Sequence, residues 1–112
     1  MSDRILKLNQ KIRKDIGQII EQNFYYPQTL ITVTEVITSK DLSEAKIYIS
    51  IYPIKNSEKI LKLMLQKTPE FQKTLNEKLI IRKIPKIKFE LDKRTEEADK
   101  IEQLLEKIKE KE

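Results

Sequence analysis

Between Ala45 and Tyr52 apolar and polar residues alternate without a fault: Ala45, Ile47, Ile49 and Ile51 on one face, Lys46, Tyr48, Ser50 and Tyr52 on the other. A period of two marks a strand with one buried and one wetted face. Pro53 stops it, because proline has no amide for the ladder. A chain carrying such a strand must supply a sheet partner and an apolar layer to cover the inner face.

The partner lies upstream. From Leu30 to Thr38 the β-branched Ile31, Thr32, Val33, Thr34, Val36, Ile37 and Thr38 predict a strand, although Glu35 breaks the pattern and leaves its inward face undecided. The polar link 39–44 is short, which favours antiparallel pairing. A third strand is expected after Pro85, over 86–92, with Ile87, Phe89 and Leu91 inward. Helices separate it from the second, so it can lie parallel to that strand through a right-handed crossover.

The covering layer is helical. Over residues 3–23, Ile5, Leu8, Ile12, Ile16, Ile19 and Ile20 recur at steps of three and four. Gly17, the one glycine, should cost ~1 kcal/mol within this helix. Pro27 biases Tyr26 away from the helix. Ser57 is the expected N-cap of a second helix with Ile60, Leu61, Met64 and Leu65 inward. Thr68-Pro69-Glu70 then reads as a break and a restart, a Thr cap followed by Pro at the first helical position. The restarted helix turns Phe71, Leu75 and Leu79 inward. Residues 80–84 are apolar but split by Arg82 and Lys83. Thr95, with Glu96 and Glu97 in the first turn, opens a last helix with Ala98, Ile101, Leu104, Leu105 and Ile108 inward and a frayed end.

The expected order is helix–strand–strand–helix–helix–strand–helix, one α+β domain over residues 1–112. Helices lie on one face of a three-stranded mixed sheet and the other face is open to water.

Composition limits the chemistry. There is no His and no Cys, so Ser-His-Asp and Cys-His nucleophile systems, imidazole and thiolate zinc sites and disulfides cannot be built. The acids are scattered or fall in the last helix, where helical spacing explains them. No enzyme activity, cofactor or metal is expected. No apolar run approaches the roughly 20 residues of a membrane span, and the charged start does not resemble a secretory signal. A cytosolic protein, with no membrane partner, is the expectation.

Charge is the positive clue. Lys and Arg number 23 against 18 acids, a net of +5, but residues 95–112 hold four Lys and seven acids. The first 94 residues therefore carry a net of +8, and such a body attracts polyanions through counterion release.

Without its last helix, the element order is that of a type II KH domain, a fold associated with RNA. A GxxG backbone clamp is impossible with a single glycine. Ser39-Lys40-Asp41-Leu42 followed by 45–50, Ala-Lys-Ile-Tyr-Ile-Ser, resembles the central signature of the ribosome-binding factor A family. Residues 71–75 with Leu79, Arg82, Pro85, Ile87, Phe89 and Asp92 resemble its second signature, and Glu97, Ile101, Leu104 and Leu105 continue the likeness. It covers nearly the whole chain, from Arg4 to about Ile108, and the family lacks GxxG. Three places depart from the family's pattern. Tyr26-Pro27-Gln28 stands where Asp-Pro-Arg is frequent, Thr68-Pro69-Glu70 replaces an Ala-x-Gly kink, and Gln72-Lys73 replaces Ile-Arg. The last exchange keeps charge but loses a guanidinium fork.

The resemblance implies a monomer when free that binds 16S ribosomal RNA on precursor 30S small subunits. It would promote late assembly and maturation of the rRNA ends without catalysis, then leave before translation. Lys67, Lys73, Lys78, Arg82 and Lys83 surround the expected helix break, where a KH domain holds nucleic acid, and form the first candidate RNA site. Secondary candidates are the stripe Arg4, Lys7, Lys11 and Lys14, and the open sheet face with Lys46, Tyr48, Lys86 and Lys88. Stacking on Tyr48 is one option and cross-strand packing another, since the order is not that of an RRM. Ser39-Lys40-Asp41 reads as turn chemistry, with Asp41 able to accept backbone amides. The rival function is a protein-interaction adaptor docking on ribosomal proteins through the last helix or open sheet.

Overall fold

A computed structural model describes residues 3–94, and the expected helix from Thr95 lies outside them. The alternating strand is β2 (Glu44–Tyr52), central between β1 (Leu30–Thr38) and β3 (Lys86–Leu91). β1 pairs with it antiparallel and β3 parallel. Ala45, Ile47, Ile49 and Ile51 are buried. Two helices cover them, α1 (Asp3–Asn23) and α2 (Ser57–Lys78). α1 contributes Ile12, Ile16, Ile19 and Ile20, and α2 contributes Ile60, Met64, Phe71 and Leu75. Phe71 is the hub of this core. Its ring meets Phe24 edge-on at 6.5 Å and Phe89 at 5.8 Å, an arrangement that suits aromatic quadrupoles.

Glu35 owes its position to a bulge. Val33 faces Ile49 and Glu35 faces Tyr48, so Thr34 is the extra residue in the ladder. Val33 and Val36 are thereby both buried, while Glu35 takes the open face beside Tyr48.

The expected pair of helices around Thr68 is not formed, and α2 runs unbroken through Pro69. Three features allow it. Pro69 lies on the exposed side, and Leu65, whose carbonyl loses its intrahelical donor, is 47% exposed, so water can reach that turn. The Thr68 hydroxyl donates to the Met64 carbonyl at 3.0 Å. Ile60, Met64, half-buried Thr68, Phe71 and Leu75 also stay in phase on one face, so both halves pack on the same core. Their burial outweighs the ~3 kcal/mol that proline costs inside a helix. Leu65, expected inward, therefore points out.

Ser57 is not the cap either. A 3-10 turn over Ile54–Asn56 leads directly into α2, and no side chain caps the helix. The expected burial of Ser57's neighbour Ile60 holds, with Ser57 itself packed inside. At Gly17 a Cβ would meet nothing within 4 Å, so packing does not demand glycine there.

Candidate functional site

Two loops meet at one end of the sheet. The link between β1 and β2 is built on Asp41, whose Oδ1 accepts the Ser39 hydroxyl at 2.8 Å, the Ser43 amide at 3.1 Å and the Ser43 hydroxyl at 2.7 Å. The Ser43 and Ser39 bonds hold its carboxyl at about 2, below the ordinary 3.8. The turn chemistry read from the sequence is thus present. It places Leu42 in the left-handed region, φ 60°. The second loop leaves α2 at Leu79, and its Lys83 ammonium donates to the Asp41 carbonyl at 3.0 Å. The Lys86 amide donates to the Ser43 carbonyl at 3.1 Å, opening the parallel ladder.

Gln72, one of the departures from the family pattern, fastens this second loop to α2. Its Oε1 accepts the Ile87 amide at 2.8 Å and its Nε2 donates to the Pro85 carbonyl at 3.2 Å. The side-chain amide therefore acts as one more peptide unit along the outer edge of β3.

The N-terminal turns of α1 and both loops line a cleft of about 420 Å³. Ile5, Leu8, Leu42 and Ile81 form its apolar walls, and Arg4, Lys40, Arg82 and Lys83 supply four cations. No acid lines it. A low-polarity floor with a cationic rim suits an anionic ligand that also carries an apolar face.

The first candidate set is divided by this arrangement. Arg82 and Lys83 join the cleft, but Lys67, Lys73 and Lys78 remain on α2. There Lys67 lies 6.0 Å from the Phe24 ring centroid. In a continuous helix Lys78 stands roughly 16 Å further along the axis, and Lys73 is turned away from Lys67 by about 120°. The groove expected around a break at Thr68 does not gather these five, because the break is absent. From the α1 stripe, Arg4 enters the cleft, while Lys7 and Lys14 are exposed along the helix. Lys11 is committed to the buried Asp15 carboxylate at 3.3 Å.

On the open sheet face, Lys46 stands beside Lys88 and Glu44 beside Lys86. Tyr48 is flanked by Glu35 on β1 and Glu90 on β3. Close by, the Asp92 carboxylate closes the far end of the sheet. It accepts the Thr34 hydroxyl at 2.7 Å, the Arg94 amide at 3.0 Å and the Arg94 guanidinium at 3.1 Å. Arg94 also donates to Glu35 at 3.0 Å. Tyr48 thus sits between acids that are themselves paired, Glu35 with Arg94 and Glu90 with Lys88, a charge-balanced setting that suits cross-strand packing.

Neither Lys40 nor Leu42 stands out as a site residue in the sequence, although both sit within the central signature. Their chemistry is visible in the sequence; their meeting with Arg4 and Arg82 depends on tertiary packing. Among the described residues no group of three or more Asp or Glu could hold a metal ion. No helix there is long and apolar enough to cross a membrane.

An α+β frame with both helices on one face of an open mixed sheet places the protein in the KH-like class. Within it the chain belongs to the ribosome-binding factor A family, whose model matches residues 4–105. A relative of that name from Pelagibacter ubique is 37% identical over 109 residues, covering 94% of this chain and 89% of its own. The crystal structure of ribosome-binding factor A from Thermus thermophilus superposes with a TM-score of 0.68 at 22% identity, over 78% of this chain and 93% of that one. A homology model of the Thermus thermophilus factor, fitted into the cryo-EM map of a complex with 30S, gives a TM-score of 0.64 at 21% identity, over 75% and 90%.

Proposed function

We propose that this protein binds 16S ribosomal RNA on precursor 30S subunits in the cytoplasm and promotes late small-subunit assembly and rRNA end maturation. It acts by binding alone, with no covalent step and no cofactor. The observation that carries this reading is the convergence of Arg4, Lys40, Arg82 and Lys83 on one cleft that no acid among the described residues lines. Family membership supplies the context, as does the Thermus thermophilus relative's complex with the 30S subunit. Binding energy spent on one rRNA conformation is sufficient for an assembly factor, and the chain has no His or Cys for nucleophile chemistry.

Salt tests the reading. Each phosphate contact contributes about 0.7 to 0.9 to the slope of log affinity against log salt. Replacing Lys40, Arg82 and Lys83 by Gln should flatten the slope for co-sedimentation with precursor subunits by roughly 2 to 3. The same exchange at Lys67, Lys73 and Lys78 should change it less. A larger effect from the α2 set places the RNA on that helix instead. Binding indifferent to salt in the unaltered protein favours docking on ribosomal proteins.

A further inference from the structure

The cleft has more apolar surface than phosphate recognition needs. Ile81 is 41% exposed, and its neighbour Ile80 is 99% exposed, beside the cations Arg82 and Lys83. Leu42 holds the left-handed backbone that glycine adopts freely and leucine does not, in a loop clamped by Asp41 and Lys83. A duplex would leave these side chains without a use. A-form RNA offers phosphates, 2′-hydroxyls and groove edges, and its base faces are hidden in the stack. An unpaired nucleotide offers both parts the cleft can meet, a flat apolar base face and a flanking phosphate on either side. A volume of about 420 Å³ suits a ligand of that size rather than a helix.

Resting on the rRNA reading above, we propose that the cleft selects single-stranded RNA, seating one unstacked base against Leu42 and Ile81 while Arg82 and Lys83 hold the adjoining phosphates. Ile80 does not line the cleft, but it adjoins Ile81 in the chain and is fully exposed, and in the bound state it covers the outer edge of that base. The protein thereby favours the unpaired state of the rRNA segment it binds, since pairing would withdraw the base.

The test uses the full chain and three labelled probes read by fluorescence anisotropy at low salt. These are an unstructured octamer, the same octamer with an abasic site at its centre, and its duplex with the complement. The octamer is expected to bind roughly tenfold more tightly than either other probe, the gain from burying a base face and two apolar side chains. Leu42→Gly keeps the left-handed backbone while removing the side chain. With Ile81→Ser added it should abolish that preference, and circular dichroism should show the fold retained. Ile80→Ser, at a fully exposed position, provides a second variant and should weaken octamer binding severalfold. Equal affinity for octamer and abasic probe, tighter binding of the duplex, or no binding to any probe overturns the proposal.

Co-sedimentation with precursor subunits separates the two failures. If the charge variants lose subunit binding while Leu42→Gly/Ile81→Ser and Ile80→Ser keep it, base seating is wrong and the rRNA reading stands. If the charge variants bind like the unaltered protein, both fall. Loss of subunit binding in the apolar variants alone, with octamer affinity unchanged, identifies an apolar protein partner and also overturns the proposal.

Discussion

Replacing Asp92 by Asn removes one negative charge from the cluster that fastens the end of β3 to the bulge in β1. Arg94 and the Thr34 hydroxyl hold that carboxyl at about 2, against an ordinary 3.8, a difference that would correspond to roughly 2.5 kcal/mol if fully transmitted. The Asp92 side chain is 6% exposed but that of Arg94 is 72% exposed, so solvent screening leaves about 1 kcal/mol as the realistic value. Asn preserves an acceptor for Thr34, so the loss is chiefly electrostatic. The folded-state value is depressed, so the stabilisation is complete at neutral pH and fades as pH falls from about 4 towards 2, with roughly half left at pH 3. In thermal unfolding followed by circular dichroism, Asp92→Asn should melt roughly 4 °C below the unaltered protein at pH 7. At pH 3 the gap should be about half as large. An identical gap at both pH values, or no gap at pH 7, would refute the electrostatic role assigned to this cluster.

Two further outcomes concern α2. Pro69→Ala restores the missing amide donor to Leu65 and should raise stability by about 1 to 2 kcal/mol, part of the intrinsic gain being offset by a freer unfolded chain; a lower melting temperature would mean that the proline relieves strain. Gln72→Ala leaves the Ile87 amide and Pro85 carbonyl without their side-chain partner and should cost about 1 to 3 kcal/mol in denaturant unfolding, with Gln72→Glu intermediate because it keeps the acceptor but loses the donor.

What the sequence reveals follows the range of the interactions. The faces of β2 and α1 depend on a regular period, and Ala45, Ile47, Ile49, Ile12 and Ile16 are buried as the spacing requires. Pro69 misleads because Thr-Pro-Glu has the same local chemistry at a helix start and inside a helix whose proline faces water. The in-phase positions Met64, Thr68, Phe71 and Leu75 contain the deciding information, but Thr68 is polar and hides the continuity. In β1 the bulged Thr34 donates to Asp92, 58 residues away, and no local pattern reports that bond. The cations of the cleft are recognisable by type. Their grouping follows from the start of α1 and two loops sharing one cleft, and the expected groove depends on a helix break that does not form.

The bulge also sets how the length of β1 can vary. Thr34 has no partner across the ladder, so a chain shortened by this residue would bring Val33 next to Glu35 and regain regular in–out order through Thr38. It would forfeit the tie to Asp92 but keep every apolar side chain on its own side. Removing a residue elsewhere in β1, with the bulge retained, would reverse the facing of the residues on one side of the gap. One point in the strand can therefore absorb a change of frame, and neighbouring positions of similar composition cannot.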